Sequence, residues 1–149
     1  MTAVSASVTV DAPVDAAWAA VTDWERQGDW MPLTSVQQLD ESRSVAAAGL
    51  GTTLSARTGA GPFAVTDRMV VDVWEPPYRC EVEHLGHVVT GRGVFLIDRV
   101  DDRRSRVTWR EEPAGGRVAR LAWWASAPAT RLVLQVALRR LQRSLERSA

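Results

Sequence analysis

The stretch PATRLVLQVALRRLQRSLERS, residues 128–148, decides the fold. Leu134, Leu138, Leu141 and Leu145 follow one another at spacings of four, three and four, which places them on one stripe of a helix, while Arg139, Arg140, Arg143 and Arg147 fall mostly off it. Pro128 suits a first helical turn, where its missing N–H has no partner to lose, and Ser126 stands where a cap belongs. The sequence therefore predicts a helix of about twenty residues starting there. The preceding RVARLAWWASA, residues 117–127, is also helical in pattern, and Pro128 is expected to break or kink the path between the two. So amphipathic a helix needs an apolar surface to cover.

Outward from that helix, the chain supplies such a surface as strands. Val4, Ala6, Val8 and Val10 alternate with Ser5, Ser7 and Thr9, the period of a half-buried strand. Asp11 to Asp15 turns the chain, with Asp15 placed to cap a short helix carrying Trp18, Val21 and Thr22. A second short helix is expected over residues 23–29, stopped by Met31-Pro32. Residues 33–41 and 50–57 read as two short strands joined by an Ala-rich connection. Gly59 to Pro62 is a turn, after which Phe63–Trp74 is a long strand with Val65, Asp67, Met69, Val71 and Val73 at the inner parity. Pro76-Pro77 ends it, and Tyr78–Leu85 puts Cys80, Val82 and His84 opposite Arg79, Glu81 and Glu83. A turn at Gly86-His87 leads into Val88–Val100, where Gly91 and Gly93 share a parity with Phe95 and Ile97. Two positions without side chains there predict a bend or an empty space. The polar turn at residues 101–104 then leads to Ser105–Glu112, with Val107, Trp109 and Glu111 on one face. The class is α+β: a curved antiparallel sheet of about seven strands gripping a long C-terminal helix, with two short helices after the first strand.

At 149 residues, one domain over residues 1–149 is expected, large enough to bury a core without staples. The lone Cys80 has no internal partner, and neither a leader-like apolar segment nor a membrane-length run is present, so the reading is a cytoplasmic protein. The formal charge is zero, yet residues 113–149 hold seven arginines against Glu146 alone, a local +6 balanced by −6 elsewhere. A basic helix face of this kind is usually solvated, and no nucleic-acid partner is expected.

The segments VTVDAPVDAAWAAVTDWERQGDWMP (8–32), VVDVWEPPYR (70–79) and RVTWREEP (106–113) give the chain a resemblance to the START-like superfamily, which includes the birch-pollen-allergen fold and the polyketide cyclase/dehydrase and lipid transport group. The resemblance spans the whole chain, through motifs that mark a fold better than a reaction. It implies a helix-grip fold with a deep, mostly apolar cavity that carries hydrophobic molecules or, in a minority of members, folds and dehydrates polyketide chains.

Two residues of the inner parities carry chemistry. An Asp67 beside His84 in an apolar pocket would serve as an acid/base pair for dehydration or aldol cyclisation; the same two residues also suit a hydrogen-bonded anchor that orients a ligand. Ligand contacts are expected from Met69, Val71, Tyr78, Val82, Phe95, Ile97 and Trp109 on the sheet and from Trp124 and Leu134 on the helix side. Glu81, Glu83, His84 and His87 crowd one stretch, but the parity turns both glutamates away from His84, so no metal site is expected. No nucleophile elbow, phosphate loop or Cys-x-x-Cys pair occurs, and no cofactor is expected. The expected partner is a hydrophobic small molecule such as a lipid, isoprenoid or polyketide-like compound, bound by a monomer or homodimer. Trp123 and Trp124 are adjacent on a helix and so cannot share a face. One of them should line the cavity mouth or stand exposed, and with Arg117, Arg120 and Arg131 nearby the pair suits simple packing, a dimer or partner surface, or a peripheral membrane contact.

Overall fold

The computed structural model describes residues 3–39, 49–86 and 90–148. Its elements are β1 (Val4–Val10), α1 (Val14–Val21), a 3₁₀ turn (Trp24–Asp29), β2 (Thr34–Gln38), β3 (Thr53–Thr58), a second 3₁₀ turn (Gly61–Phe63), β4 (Val65–Glu75), β5 (Arg79–Leu85), β6 (Thr90–Arg99), β7 (Ser105–Glu112) and α2 (Arg117–Ser148). The seven strands form one antiparallel sheet in the order β1-β7-β6-β5-β4-β3-β2, so the first strand closes against the last and every other pair is consecutive. The expected turn at His87 and the connection over residues 40–48 lie outside the described residues.

The alternations become faces. Val4, Val10, Val71, Ile97 and Val107 are fully buried and join Leu134, Ala137, Leu138 and Leu141 of α2 in one core. The leucine stripe therefore packs as its spacing predicts. Two glutamines fix α2 along the sheet: Gln142 donates to the Thr9 carbonyl at 2.7 Å and Gln135 to the Ser7 carbonyl at 3.3 Å. Those carbonyls belong to an edge strand, so the helix covers acceptors that another chain's strand would otherwise use.

Three sequence-based expectations need correction. Pro128 neither starts nor splits the helix: α2 runs unbroken for 32 residues with Pro128 inside it, and Ser126 bonds back to the Trp123 carbonyl at 3.1 Å instead of capping. Proline removes the hydrogen bond to the carbonyl four residues earlier. Here it does so on an exposed face, where water can take the acceptor. Asp15 lies within the first turn of α1 and makes no capping bond; Pro13 holds the cap position. Val73, expected inward, is turned out by an irregularity in β4 between Val71 and Val73. An extra residue in one strand reverses the parity beyond it. Trp74 is thereby turned inward, where its ring meets Trp18 at 4.9 Å and Trp24 at 6.4 Å.

Candidate ligand cavity and its buried ion cluster

Between the concave face of β2–β7 and the middle of α2 lies a cavity of about 460 Å³. Its wall is mainly apolar, with Leu54, Met69, Val82, Phe95 and Trp109 from the sheet, Met31 from the segment after the first 3₁₀ turn, and Trp123, Val133 and Leu134 from the helix. Phe95 and Trp109 stand side by side at 5.3 Å, and Trp30 meets both at about 6 Å from behind. The indole N–H groups of Trp24 and Trp30 are buried without a hydrogen-bond partner among the described residues, although a buried indole N–H usually has one.

Set into this wall is a line of three ionisable side chains from three strands. His84 Nδ1 lies 2.5 Å from Asp67 Oδ2, and His84 Nε2 lies 3.2 Å from Glu111 Oε2. Glu111 Oε1 in turn accepts the Trp109 indole N–H at 2.9 Å. The register explains how they meet. Met69 is opposite His84, which puts Asp67 at a diagonal position two residues along β4. Glu111 is farther away, because β6 runs between β5 and β7. The residues of β6 opposite His84 and Glu111 are Gly91 and Gly93. With no side chains there, imidazole and carboxylate reach each other across the intervening strand. A Cβ at position 93 would stand 3.2 Å from Glu111 Oε1 and 3.1 Å from Val82 Cγ2. At Gly91 the backbone has φ +103°, and a Cβ would meet the Glu112 carbonyl at 2.1 Å. The pair thus divides the two predicted roles: Gly91 bends the chain and Gly93 leaves the space.

Burial by itself would depress the His84 pKa, since a charged imidazole loses hydration. Hydrogen bonds to Asp67 and then Glu111, together with the negative charge of both, outweigh that loss and lift it from 6.5 to about 9. At neutral pH the ring is an imidazolium with both N–H groups donated to carboxylates. Cys80 also faces inward, but burial, reinforced by Glu81 and Asp72, pushes its thiol up to about 12, so it is an inert packing group.

Of the residues expected at the site, Asp67, His84, Met69, Val82, Phe95, Trp109 and Leu134 line the cavity. Val71 and Ile97 lie beneath it in the solid core and do not. Tyr78 is 53% exposed in the turn before β5, and Trp124 is 74% exposed on the outer side of α2, both outside the cavity. Of the two adjacent tryptophans, Trp123 is the one at the wall. Glu81 turns to the opposite face of the sheet, where it pairs with Arg79 and, at 3.1 Å, with Arg92. Glu111 is the member of the cluster that sequence reasoning did not single out. Its parity matches that of Trp109, but among Arg106, Arg110 and Glu112 it reads as a surface charge.

The polyketide cyclase / dehydrase and lipid transport family matches residues 1–146. No curated protein matches the chain in sequence. Solved structures similar to it include a conserved protein from Geobacillus kaustophilus, 16% identical with a TM-score of 0.73, covering 99% of this chain and 97% of that one. The Zhui aromatase/cyclase of Streptomyces sp. R1128 is 19% identical with a TM-score of 0.72, covering 98% and 94%. The di-domain aromatase/cyclase BexL of the BE-7585A biosynthetic pathway is 18% identical with a TM-score of 0.71, this chain spanning 48% of its length. At these identities the likeness is one of fold.

Proposed function

The chain belongs to the polyketide cyclase / dehydrase and lipid transport family, and from that premise we propose that it is a one-domain binding protein for a hydrophobic small molecule, held between the sheet and α2. The observation that carries this reading is the clamped imidazole at the wall of an apolar cavity. Because both ring nitrogens of His84 are engaged by carboxylates, the ring has neither a free lone pair nor a free N–H for proton transfer. Such a group suits orientation of a ligand better than turnover. The apolar wall supplies most of the affinity, at roughly 25 cal/mol per Å² removed from water, and the cluster sets the direction in which the ligand lies. Native mass spectrometry of the purified protein, with displacement of whatever is bound by an apolar fluorophore, tests this. A cavity that holds and takes up nothing apolar would sink it.

A second reading is favoured by the unequal lengths of the two His84 contacts. A substrate oxygen that displaced Glu111 from the longer, 3.2 Å contact would leave Nε2–H free as a general acid, with Asp67 orienting the ring and Glu111 free as a base. In an aldol cyclisation Glu111 would take a proton from a carbon between two carbonyls. The enolate carbon would then bond to a distant carbonyl carbon, and the imidazolium would protonate the resulting alkoxide. Loss of cyclised product from a poly-β-ketone in His84→Gln and Glu111→Gln, at unchanged substrate binding, is the expected sign; equal product with and without the protein ends this reading.

A third concerns α2. No helix among the described residues is long and apolar enough to cross a membrane. Exposed Val118, Leu121 and Trp124 beside Arg117, Arg120 and Arg131 suit peripheral contact with an anionic lipid surface. Flotation with anionic vesicles that weakens as salt rises is the outcome expected of it, and no flotation at low salt would remove it.

A further inference from the structure

The charges in the cavity wall narrow the chemistry of the ligand. Among the described residues that line it are three carboxylates, Asp67, Glu111 and Glu112, one basic group, His84, and no arginine, although arginine is the chain's most abundant charged residue. Glu112 is compensated at the rim by Arg110 at 2.9 Å. Inside, two carboxylates share one imidazole, so the sum stays negative even when the ring is protonated. Asp67 is only 8% exposed, and its Oδ1 has no hydrogen-bond partner among the described residues, so its negative charge is incompletely matched within the protein. Trp109, whose indole N–H bonds Glu111, and Phe95, 5.3 Å from Trp109, line the same cavity, and the faces of aromatic rings attract a cation. An anionic head group would find like charge and, among the described lining residues, no guanidinium to receive it. A cation would find a fixed, partly desolvated negative field and an aromatic wall, both already in place before it arrives.

Resting on the reading that the cavity binds an apolar molecule, we propose that the ligand is an amine: an apolar body of a size to fill the cavity, with a protonated nitrogen held by the Asp67–His84–Glu111 cluster against Phe95 and Trp109. The cluster then acts as a selectivity device. It admits ammonium head groups, tolerates neutral hydroxyls and excludes fatty acids and phosphate esters.

Three probes with one aromatic skeleton test it: naphthylethylamine, naphthylethanol and naphthylacetic acid, titrated calorimetrically into the full chain at neutral pH and low salt. The amine is expected to bind about tenfold or more tighter than the alcohol, and the acid weakest of the three. An alcohol that binds as well as the amine, or an acid that binds best, overturns the proposal while leaving the cavity reading intact. If no member of this set, nor of a second set on an alkyl skeleton, binds at all, the cavity reading falls and the proposal with it. In Glu111→Gln the amine-to-alcohol ratio is expected to collapse toward one, and a ratio that survives the change counts against the assignment. Should that variant fail to fold, Asp67→Asn gives the same readout, and the wild-type ratio decides on its own.

Discussion

The two halves of α2 are one continuous helix, yet they meet the sheet in different ways. From Leu134 to Leu141 the inward stripe is locked into the core, with Leu138 0% exposed. From Arg117 to Val133 the helix roofs a hollow and leaves apolar side chains in solvent, Val118 at 83% and Leu121 at 66%. Pro128 sits within the roofing stretch, which bears less of the packing. The difference shows that an amphipathic pattern specifies which face turns inward, while the volume left beneath that face depends on residues elsewhere, here Gly93 and the inward carboxylates.

The sharpest way to break the comparison is to cut a leucine in each half. Leu138→Ala should lower unfolding free energy by about 2–5 kcal/mol in urea titrations, whereas Leu121→Ala should stay within about 0.5 kcal/mol; equal losses would mean the halves are packed alike. Next in size is the pH dependence of the wall under the roofing half. His84 has a folded pKa of about 9 against 6.5 unfolded, so its stabilisation is complete below pH 6.5 and is lost as pH rises through about 9. The loss amounts to roughly 3 kcal/mol at most. In His84→Gln that decline in unfolding free energy should flatten, and an unchanged decline would assign it to other groups. Pro128→Ala should restore the hydrogen bond to the Trp124 carbonyl and stabilise by about 1–3 kcal/mol, seen as a higher Tm. A lower Tm would show that proline shapes the roof. Gly93→Ala is expected to press on Glu111 and weaken its bond to His84 at a cost of about 1 kcal/mol. The clearer readout is a fall in the His84 pKa followed by NMR, and a pKa that stays near 9 would show that the glycine is not what clears the path. The smallest effect is at Trp124→Ala, expected to leave both stability and apolar-probe binding nearly unchanged while Trp123→Ala weakens the binding.

Much of the site was legible in the sequence, residue by residue. The inward parities of Asp67 and His84 follow from alternation within β4 and β5, and the two glycines of β6 announced a bend or a space. Glu111 was not legible, because nothing local to β7 distinguishes it from its charged neighbours. Its role depends on register across a strand that has no side chain in the way. Trp74 and Val73 exchange faces through the irregularity between Val71 and Val73, which alternation alone does not reveal.

By itself, then, the sequence determined the strands with their faces, the leucine stripe, the strand-to-helix order and the α+β class, since each follows from a period of two or of 3.6 read over neighbouring residues. The tertiary structure alone decided that the helix passes through Pro128, that Trp123 and not Trp124 meets the cavity, that Tyr78, Val71 and Ile97 lie away from it, and that His84 is clamped between two carboxylates. Those outcomes depend on register, curvature and solvent exposure. They are set by residues far apart in the chain, and no local period records them.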